Sequence, residues 1–240
     1  MPTFLVVGEG QYAIKVAKAI DAPRIEPTKI DSVGPTQRVA DWLLSVNNDR
    51  ILRPSFLELF GGRLNFHNGK LPEYAGRHVH QWAIRNGETE SEATIHHIDV
   101  GVDSGDIVAT RAFPIRPTDT GLSLFQTSFR VGSDLMIEVA RAIQRGESLP
   151  RRPQVGTRHV YRHKDALDGE IDFASLTARQ VVDFVRAGNY DPFRSPSYTP
   201  SYRGVPVSKA AIVGPEEVDA IPCMQGFVRL DLRKLGPHPE

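Results

Sequence analysis

The stretch NFHNGKLPEYAG, residues 65–76, decides how the rest of the chain is interpreted. It places Asn65, His67 and Asn68 within four positions, passes through a Leu-Pro turn and ends at Gly76. The short apolar run before it predicts a β-strand, and the segment after it has apolar residues at helical spacing. A polar cluster at the end of a strand is where an open α/β sheet places its reactive groups. We therefore expect an active-site loop here.

Asn65 and His67 are two positions apart, so their side chains point to the same side of a strand. An Asn amide can donate to a developing oxyanion, and a His can move a proton near neutral pH. A carboxylate would complete the set, and GVDSGD at residues 101–106 supplies Asp103 in a Gly-rich turn. From the residues alone this trio is a hypothesis, because an Asn-x-His spacing also occurs where the His is structural.

Composition narrows the class of protein. The length of 240 residues predicts one full domain with a smaller appendage, and 29 Lys and Arg balance 29 Asp and Glu. Zero net charge argues against a dedicated nucleic-acid binder and gives no support to a role at a membrane surface. The single cysteine excludes an intrachain disulfide. No apolar run approaches the roughly 18 residues of a spanning helix, so we expect a cytoplasmic protein without membrane association.

The order of predicted elements indicates an α/β fold. Apolar and alternating runs predict strands at residues 3–8, 41–46, 63–67, 93–99 and 107–115, the last two paired through the 101–106 turn. Helical spacing predicts helices at residues 12–20, near Pro54, between Gly76 and Asn86, and from Thr120 towards Gly146. The Gly-x-Gly at residues 8–10 lacks the third Gly of a dinucleotide fingerprint, so we interpret it as a packing turn.

A Pro- and Arg-rich linker at residues 149–153 introduces a different pattern. Thr177 and Gln180 predict a capping box that opens a helix ending at Gly188. Residues 205–213 and 226–232 predict two strands of a small hairpin or sheet. We therefore expect two domains, at residues 1–150 and 151–240.

Four ordered motifs, NFHNGKLPEYAG, QWAI, ATIHHID and VDSGDIV, resemble the N10-formyltetrahydrofolate-dependent formyltransferases. That family includes methionyl-tRNA formyltransferase, glycinamide ribonucleotide transformylase and the sugar N-formyltransferases. Its pattern is Asn-x-His, a Leu-Pro-x-x-x-Gly loop, a Thr-Ile/Val-His strand and Asp-x-Gly. The match runs from about Asp41 to Ile115 and extends more loosely to DGEIDF at residues 168–173 and VRAGNYDPF at residues 185–193.

The resemblance implies a Rossmann-like formyltransferase sheet with helices on both faces. It also implies a small C-terminal subdomain made of a helix and a β-hairpin. The part before Asn65 is shorter than in the family pattern, which commonly has one more strand-helix unit there.

The resemblance also implies roles for individual residues. Asn65, His67 and Asp103 would be catalytic: Asn65 and protonated His67 would stabilise the oxyanion formed when an amine attacks the formyl carbonyl, and Asp103 would assist proton removal. The formyl donor would be N10-formyltetrahydrofolate, and the family uses no metal in this step. The pterin would lie between two groups of residues, namely Arg50, Ile51 and Leu52, and the backbone of Asp99, Val100, Gly101 and Val102.

Acceptor recognition is expected around the loop and just after it. The candidate residues are Asn68, Tyr74, Arg77, His78 and His80. We expect His78 and His80 at the surface or on the acceptor side, and no metal, since the pair has no evident third ligand. His96 and His97 lie on opposite faces of one strand, and we expect one of them to be hydrogen-bonded in the core.

Formyl transfer to the primary amine of a small molecule is the leading interpretation, with a nucleotide-linked amino sugar as the favoured acceptor. An amino acid or related biosynthetic amine comes second and methionyl-tRNA third, because the net charge is zero and the C-terminal part is too short for an OB-fold domain. Two other classes stay open. The same trio could hydrolyse the formyl donor, or the chain could be a folate- or nucleotide-binding module if the trio is misplaced. A C-terminal hairpin can pair across a two-fold axis, so we expect a homodimer.

Overall fold

The computed structural model describes residues 1–32, 39–165, 169–193 and 195–232. Two short 3₁₀ turns are formed by Pro27–Ser32 and His163–Asp165. The remaining regular elements are α-helices and β-strands. In chain order these are β1 (Phe4–Val7), α1 (Gly10–Ala19), β2 (Arg24–Ile25), β3 (Trp42–Ser45), α2 (Pro54–Leu57), β4 (Gly62–His67), β5 (Ala75–Gly76), α3 (Val79–Arg85), β6 (Glu90–His97), β7 (Ile107–Pro114), α4 (Gly121–Gln144), β8 (Val160–Tyr161), α5 (Ala178–Gly188), β9 (Ser201–Tyr202), β10 (Val205–Val213), β11 (Ile221–Pro222) and β12 (Phe227–Leu232).

The predicted strands and helices are found close to their expected bounds. Within the DGEIDF segment Asp168 lies outside the described residues. Asn86 closes α3 and Gly87 follows with φ 74°, which matches the predicted stop. Thr177 and Gln180 form the predicted capping box at the start of α5.

The main sheet has six strands in the order β2-β1-β3-β4-β6-β7. β1 is parallel to β2 and β3, and β3 is parallel to β4, whereas β6 runs antiparallel to β4. The sheet is therefore mixed, and β4 is the strand at which its direction changes. The register places Asn65 between Ser45 of β3 and His96 of β6.

Strict alternation along the strands separates two apolar layers. Leu43 packs with Phe56 in a cluster that α2 covers on one face. On the other face the ring of Phe66 contacts Phe129 of α4, with ring centroids 5.1 Å apart. Each fully buried Leu or Phe contributes on the order of 1.5–3 kcal/mol. The expectation of an α/β sheet with helices on both faces is confirmed.

Gly132 of α4 sets how closely that helix approaches β4. A Cβ atom at this position would lie 1.9 Å from Cε2 of Phe66, a distance that no real contact allows. Phe66 is the residue between Asn65 and His67, so the packing of α4 supports the strand that carries both polar side chains.

Two compact units can be distinguished by their internal contacts. The first comprises Met1–Gly76, Glu92–Phe113 and Thr127–Val160, and it contains the core of the main sheet. The second comprises Arg77–Ser91, Pro114–Gln126 and Tyr161–Glu240. The expectation of a domain boundary at residue 150 stays a prediction.

The second unit has a four-stranded sheet in the order β11-β12-β10-β9, which extends the predicted hairpin of β10 and β12. α5 packs on this sheet through an apolar cluster that includes Val181, Phe184, Val207 and Val228. Among the described residues, no helix is long and apolar enough to cross a membrane.

We predict that Gly132→Ala lowers the free energy of unfolding by about 1–3 kcal/mol, the usual cost of overpacking a core. The added methyl must displace Phe66 or α4. Chemical denaturation measures the loss, with Arg141→Ala on the exposed side of α4 as the control, which we expect to stay within about 0.5 kcal/mol of wild type. A Gly132→Ala protein as stable as the control would show that α4 and β4 are not in tight contact.

Candidate active site

The structure brings the three predicted polar residues together. Asn65 and His67 lie on the same face of β4, and Asp103 reaches both from the loop between β6 and β7. Its Oδ1 is 3.5 Å from Nδ2 of Asn65, and its Oδ2 is 3.4 Å from Nδ1 of His67. His67 is 5% exposed and the Asp103 side chain 13% exposed, so the group is largely shielded from water.

The loop that carries Asp103 has to fold back along the sheet, because β6 runs antiparallel to β4 and leaves it at His97 opposite Leu64. Asp103 adopts φ 48°, in the left-handed region that Asp tolerates better than most residues. A Cβ on Gly105 would lie 1.9 Å from the carbonyl oxygen of His97, so only Gly fits this close approach. The Gly-rich spacing of GVDSGD is therefore a requirement of the return.

His67 has one ring nitrogen committed to the backbone. Its Nε2–H donates to the carbonyl oxygen of Tyr74 at 2.6 Å, so Nδ1 is the nitrogen that faces the Asp103 carboxylate. Burial lowers the pKa of His67, and the Asp103 carboxylate and the Tyr74 carbonyl oppose that effect only in part. Burial therefore disfavours the imidazolium form of His67, and Nδ1 is the ring nitrogen left to exchange a proton.

Asp103 is held as a carboxylate. Burial on its own would raise its pKa, but the imidazoles of His67 and His96 and the backbone N–H of Gly76 together hold the pKa well below its usual range. Gly76 donates its N–H to Oδ2 at 2.9 Å. The last residue of the quoted loop therefore binds the residue that completes the site.

His96 belongs to this group, although the sequence indicated only that one histidine of the pair would be hydrogen-bonded in the core. That expectation is confirmed for His96, which is 3% exposed. Its Nδ1–H donates to the carbonyl oxygen of His97 at 2.8 Å, so its Nε2 accepts from Nδ2 of Asn65 at 3.1 Å. The tautomer of His96 thereby sets which side of the Asn65 amide faces inward. The strand register places His96 opposite Asn65 and so reveals this role. The spacing of residues along the sequence does not give the register.

Two contacts hold the loop at residues 68–76 against the sheet. Thr94, the residue opposite His67 in β6, donates its hydroxyl to the carbonyl oxygen of Gly69 at 2.8 Å. The N–H of Ala75 donates to the carbonyl oxygen of His159 at 3.0 Å. Tyr74, a predicted acceptor contact, is buried and contributes its backbone carbonyl to His67.

The residues expected to hold a pterin offer an exposed apolar surface. Ile51 is 88% exposed, Val100 103% and Val102 51%, which is unusual for large aliphatic side chains. Their chain neighbours Leu52 and Ile98 both pack against the core cluster around Leu43, so both loops are anchored on one base.

Some polar groups of these two loops already have partners. Asn48 donates to the carbonyl of Arg50 at 3.0 Å and accepts from its N–H at 3.1 Å, which closes that loop on itself. The N–H of Val100 donates to the carboxylate of Asp99, and the carbonyl of Val102 accepts from Arg158. The expected backbone edge at residues 99–102 is thus partly engaged within the protein, while Gly101 is exposed.

The residues after Gly76 correct one expectation. His80 was expected at the surface or on the acceptor side, but it is 4% exposed and bonds to the hydroxyl of Tyr190, and burial lowers its pKa to about 3. Five of the seven residues of α3 are buried, His80 among them, so little of this short helix is left at the surface. His78 is partly exposed, with its Nε2 3.0 Å from Nδ1 of His163, and Arg77 and Asn68 retain exposed surface.

Metal coordination has no support in the geometry of the described part of the chain. Within it, no group of three or more His, Cys, Asp or Glu side chains is arranged to hold an ion. The side chains gathered at the candidate site are an amide, two imidazoles and a carboxylate.

Comparison with known proteins identifies relatives of the chain. A family model described as Formyl transferase matches residues 19–140. The methionyl-tRNA formyltransferase of Lactobacillus delbrueckii subsp. bulgaricus is 30% identical over 183 residues, which covers 74% of this chain and 58% of that protein. The chain spans about half the length of the curated relatives it matches.

Solved structures share the fold over the whole chain. An N-formyltransferase from Helicobacter canadensis, solved with folinic acid and dTDP-3-aminofucose, aligns with a TM-score of 0.78 at 20% identity. The alignment covers 97% of this chain and 99% of that one. WlaRD, a sugar 3N-formyl transferase solved with dTDP and 5-N-formyl-THF, aligns with a TM-score of 0.77 at 19% identity, covering 99% of each chain.

We predict that Asp103→Asn lowers the pKa of His67 further. The carboxylate favours the imidazolium, so its removal leaves burial unopposed by that charge. A titration of the His67 ring followed by NMR measures the shift in the absence of any ligand. Asp99→Asn, in the exposed turn nearby, is the control, and an unchanged or raised His67 pKa in Asp103→Asn would contradict the proposed pairing.

Proposed function

The chain belongs to the formyl transferase family, and on that basis we propose that it transfers a formyl group from N10-formyltetrahydrofolate to the primary amine of a small molecule. The observation that carries this proposal is the close grouping of Asn65, His67 and Asp103. An amide donor, an imidazole and an ionised carboxylate are groups that can catalyse acyl transfer to an amine.

Proton removal is assigned to Nδ1 of His67. Its Nε2 is occupied by the Tyr74 carbonyl, so only Nδ1 can take a proton from the attacking amine. The Asp103 carboxylate, 3.4 Å from that nitrogen, stabilises the imidazolium that results. The low pKa of Asp103 keeps this charge available across the physiological pH range.

Asn65 is assigned to the oxygen of the carbonyl under attack. One amide hydrogen is bound by His96 at 3.1 Å, whereas the contact to Asp103 at 3.5 Å is too long to be strong. The second hydrogen can therefore turn to an oxygen on which negative charge develops. Such a donor typically contributes about 10²–10³ in rate.

The folate would be held by the two loops with exposed apolar residues. When bound, it supplies an activated formyl carbon. Ile51, Val100 and Val102 present the aliphatic surface that a flat heterocycle covers. We retain the backbone from Asp99 to Val102 as the predicted polar edge of this site, together with Arg50 and Leu52.

For the acceptor we propose a nucleotide-linked amino sugar. The match over 99% of an N-formyltransferase solved with dTDP-3-aminofucose supports this choice, as does the formal net charge of zero. We further propose that Asn68, Arg77 and His78 take part in acceptor recognition. An amino acid or another biosynthetic amine is the next acceptor to test.

Methionyl-tRNA is the third candidate acceptor. The observation that favours it is the 30% identity to a methionyl-tRNA formyltransferase. The balanced charge argues against it, since binding to tRNA depends on a basic surface.

The oligomeric state and the cellular location of the protein are also proposed. We propose a cytoplasmic enzyme that dimerises through the strand pair β10 and β12. Residues 151–240 would then serve dimerisation or the acceptor side.

We predict that Asn65→Ala lowers kcat by about 10²–10³-fold and His67→Ala by about 10²–10⁴-fold. The assay follows amine-dependent release of tetrahydrofolate with nucleotide amino sugars, amino acids and methionyl-tRNA as alternative acceptors. His97→Gln is the matched control, because the side chain of His97 lies on the opposite face of β6 and its carbonyl is retained.

The outcomes separate the candidate functions. Release of formate from the folate without any amine would identify a hydrolase, and binding of folate without turnover would identify a binding module. Asn65→Ala and His67→Ala proteins that work as well as His97→Gln would show that the site is assigned wrongly.

A further inference from the structure

A short exposed segment after α4, residues 152–159, contacts the backbone of the loop that carries Asp103. We call it the clamp segment. Nε2 of Gln154 donates to the carbonyl oxygens of Asp103 and Gly105 at 2.8 and 2.9 Å. Arg158 donates to the same Asp103 carbonyl at 3.2 Å and to the carbonyl of Val102. Two side chains therefore bind three backbone carbonyls of one loop, those of Val102, Asp103 and Gly105.

Gln154 and Arg158 also orient each other. Arg158 donates to Oε1 of Gln154 at 3.3 Å, so the carboxamide has both its hydrogens and its oxygen in use. An amide whose donors and acceptor are all satisfied has one preferred orientation. The pair therefore acts as a fixed bracket on the carbonyls that flank Asp103.

Both ends of the clamp segment are attached to the first unit. At its start, the N–H of Ile107 donates to Arg152 at 2.8 Å and the N–H of Arg152 donates back at 3.1 Å. At its end, His159 accepts from Ala75 at 3.0 Å and donates its N–H to the carbonyl of Pro72 at 3.2 Å. The clamp segment thus connects the β6–β7 loop with the loop at residues 68–76.

We propose that Gln154, assisted by Arg158, is a positioning residue that keeps the Asp103 carboxylate at its working distance from His67. The left-handed conformation of Asp103 is strained for a residue with a side chain and persists only where the surroundings impose it. Gln154 bonds the carbonyl that follows the Asp103 Cα, and Arg158 bonds the Val102 carbonyl that precedes it. For the effect on turnover, this proposal rests on the proposed formyl transfer.

If Gln154 and Arg158 served only to stabilise the fold, replacing them would lower the free energy of unfolding and leave the Asp103–His67 interaction unchanged. We expect the reverse. Arg158 is exposed and Gln154 partly exposed, so water can replace them at the carbonyls with little effect on folding. Loosening of the loop changes the distance between Asp103 and His67. The electrostatic coupling of those two groups therefore reports on the clamp segment without any substrate.

The first test is a double-mutant cycle on the His67 ring pKa, measured by NMR for wild type, Asp103→Asn, Gln154→Met and the double variant. Methionine keeps the length of the side chain and removes both donors without adding charge. We expect the shift caused by Asp103→Asn to be clearly smaller in the Gln154→Met background. Equal shifts in both backgrounds would overturn the proposal, whatever the protein catalyses.

The second test is kinetic and uses the full chain with its formyl donor and acceptor. We expect Gln154→Met to lower kcat by about tenfold to a hundredfold, the effect of a small misplacement of a reacting group. Arg158→Lys, which keeps the charge, should retain more activity than Arg158→Met. Val155→Ala, at a position 84% exposed in the same segment, should match wild type.

The two tests separate the two proposals. If the cycle shows coupling but no amine is formylated, the positioning role of Gln154 is supported and the proposed function is wrong. Turnover in Gln154→Met equal to that of Val155→Ala, with unchanged thermal unfolding, would overturn the clamp segment and leave formyl transfer intact.

Discussion

The charge on Asp103 is the constraint on which the first unit depends. A carboxylate that is only 13% exposed loses most of its hydration, which costs several kcal/mol unless polar groups replace the water. Here those groups are Gly76, Asn65, His67 and His96, which come from the three strands β4, β5 and β6. A protein that buries one charge in this way has to hold three separate segments in register, and the sheet supplies that register.

The reversal between β4 and β6 explains why the site is located where it is. In a purely parallel sheet the polar residues of neighbouring strands would meet only at one end. Because β6 runs antiparallel, His96 lies directly across from Asn65, and the following loop must return along the face of β4. The left-handed Asp103, the small Gly105 and the clamp segment are all consequences of that return.

Much of this arrangement could be predicted from local patterns. Alternation predicted β4 and β6, and the two-residue spacing of Asn65 and His67 placed them on one face. The role of His96, the burial of His80 and the clamp segment could not be predicted in the same way. Each depends on a contact between residues far apart in sequence, and periodicity carries no information on such contacts. The predicted Pro- and Arg-rich linker at residues 149–153 overlaps only the start of the clamp segment, and the sequence assigned no role to Gln154 or Arg158.

The packing of Phe66 against Gly132 has a further consequence for engineering. Phe66 lies between Asn65 and His67 in β4, and its ring points to the opposite face of the sheet, where it packs against α4. The residue that anchors the strand is therefore the direct neighbour of both polar residues. A change in the volume available to the Phe66 ring would shift the β4 backbone, and it would move Asn65 and His67 together. The positions of Asn65 and His67 could thus be changed from the other face of the sheet, by paired substitutions at Phe66 and Gly132, without replacing either polar residue.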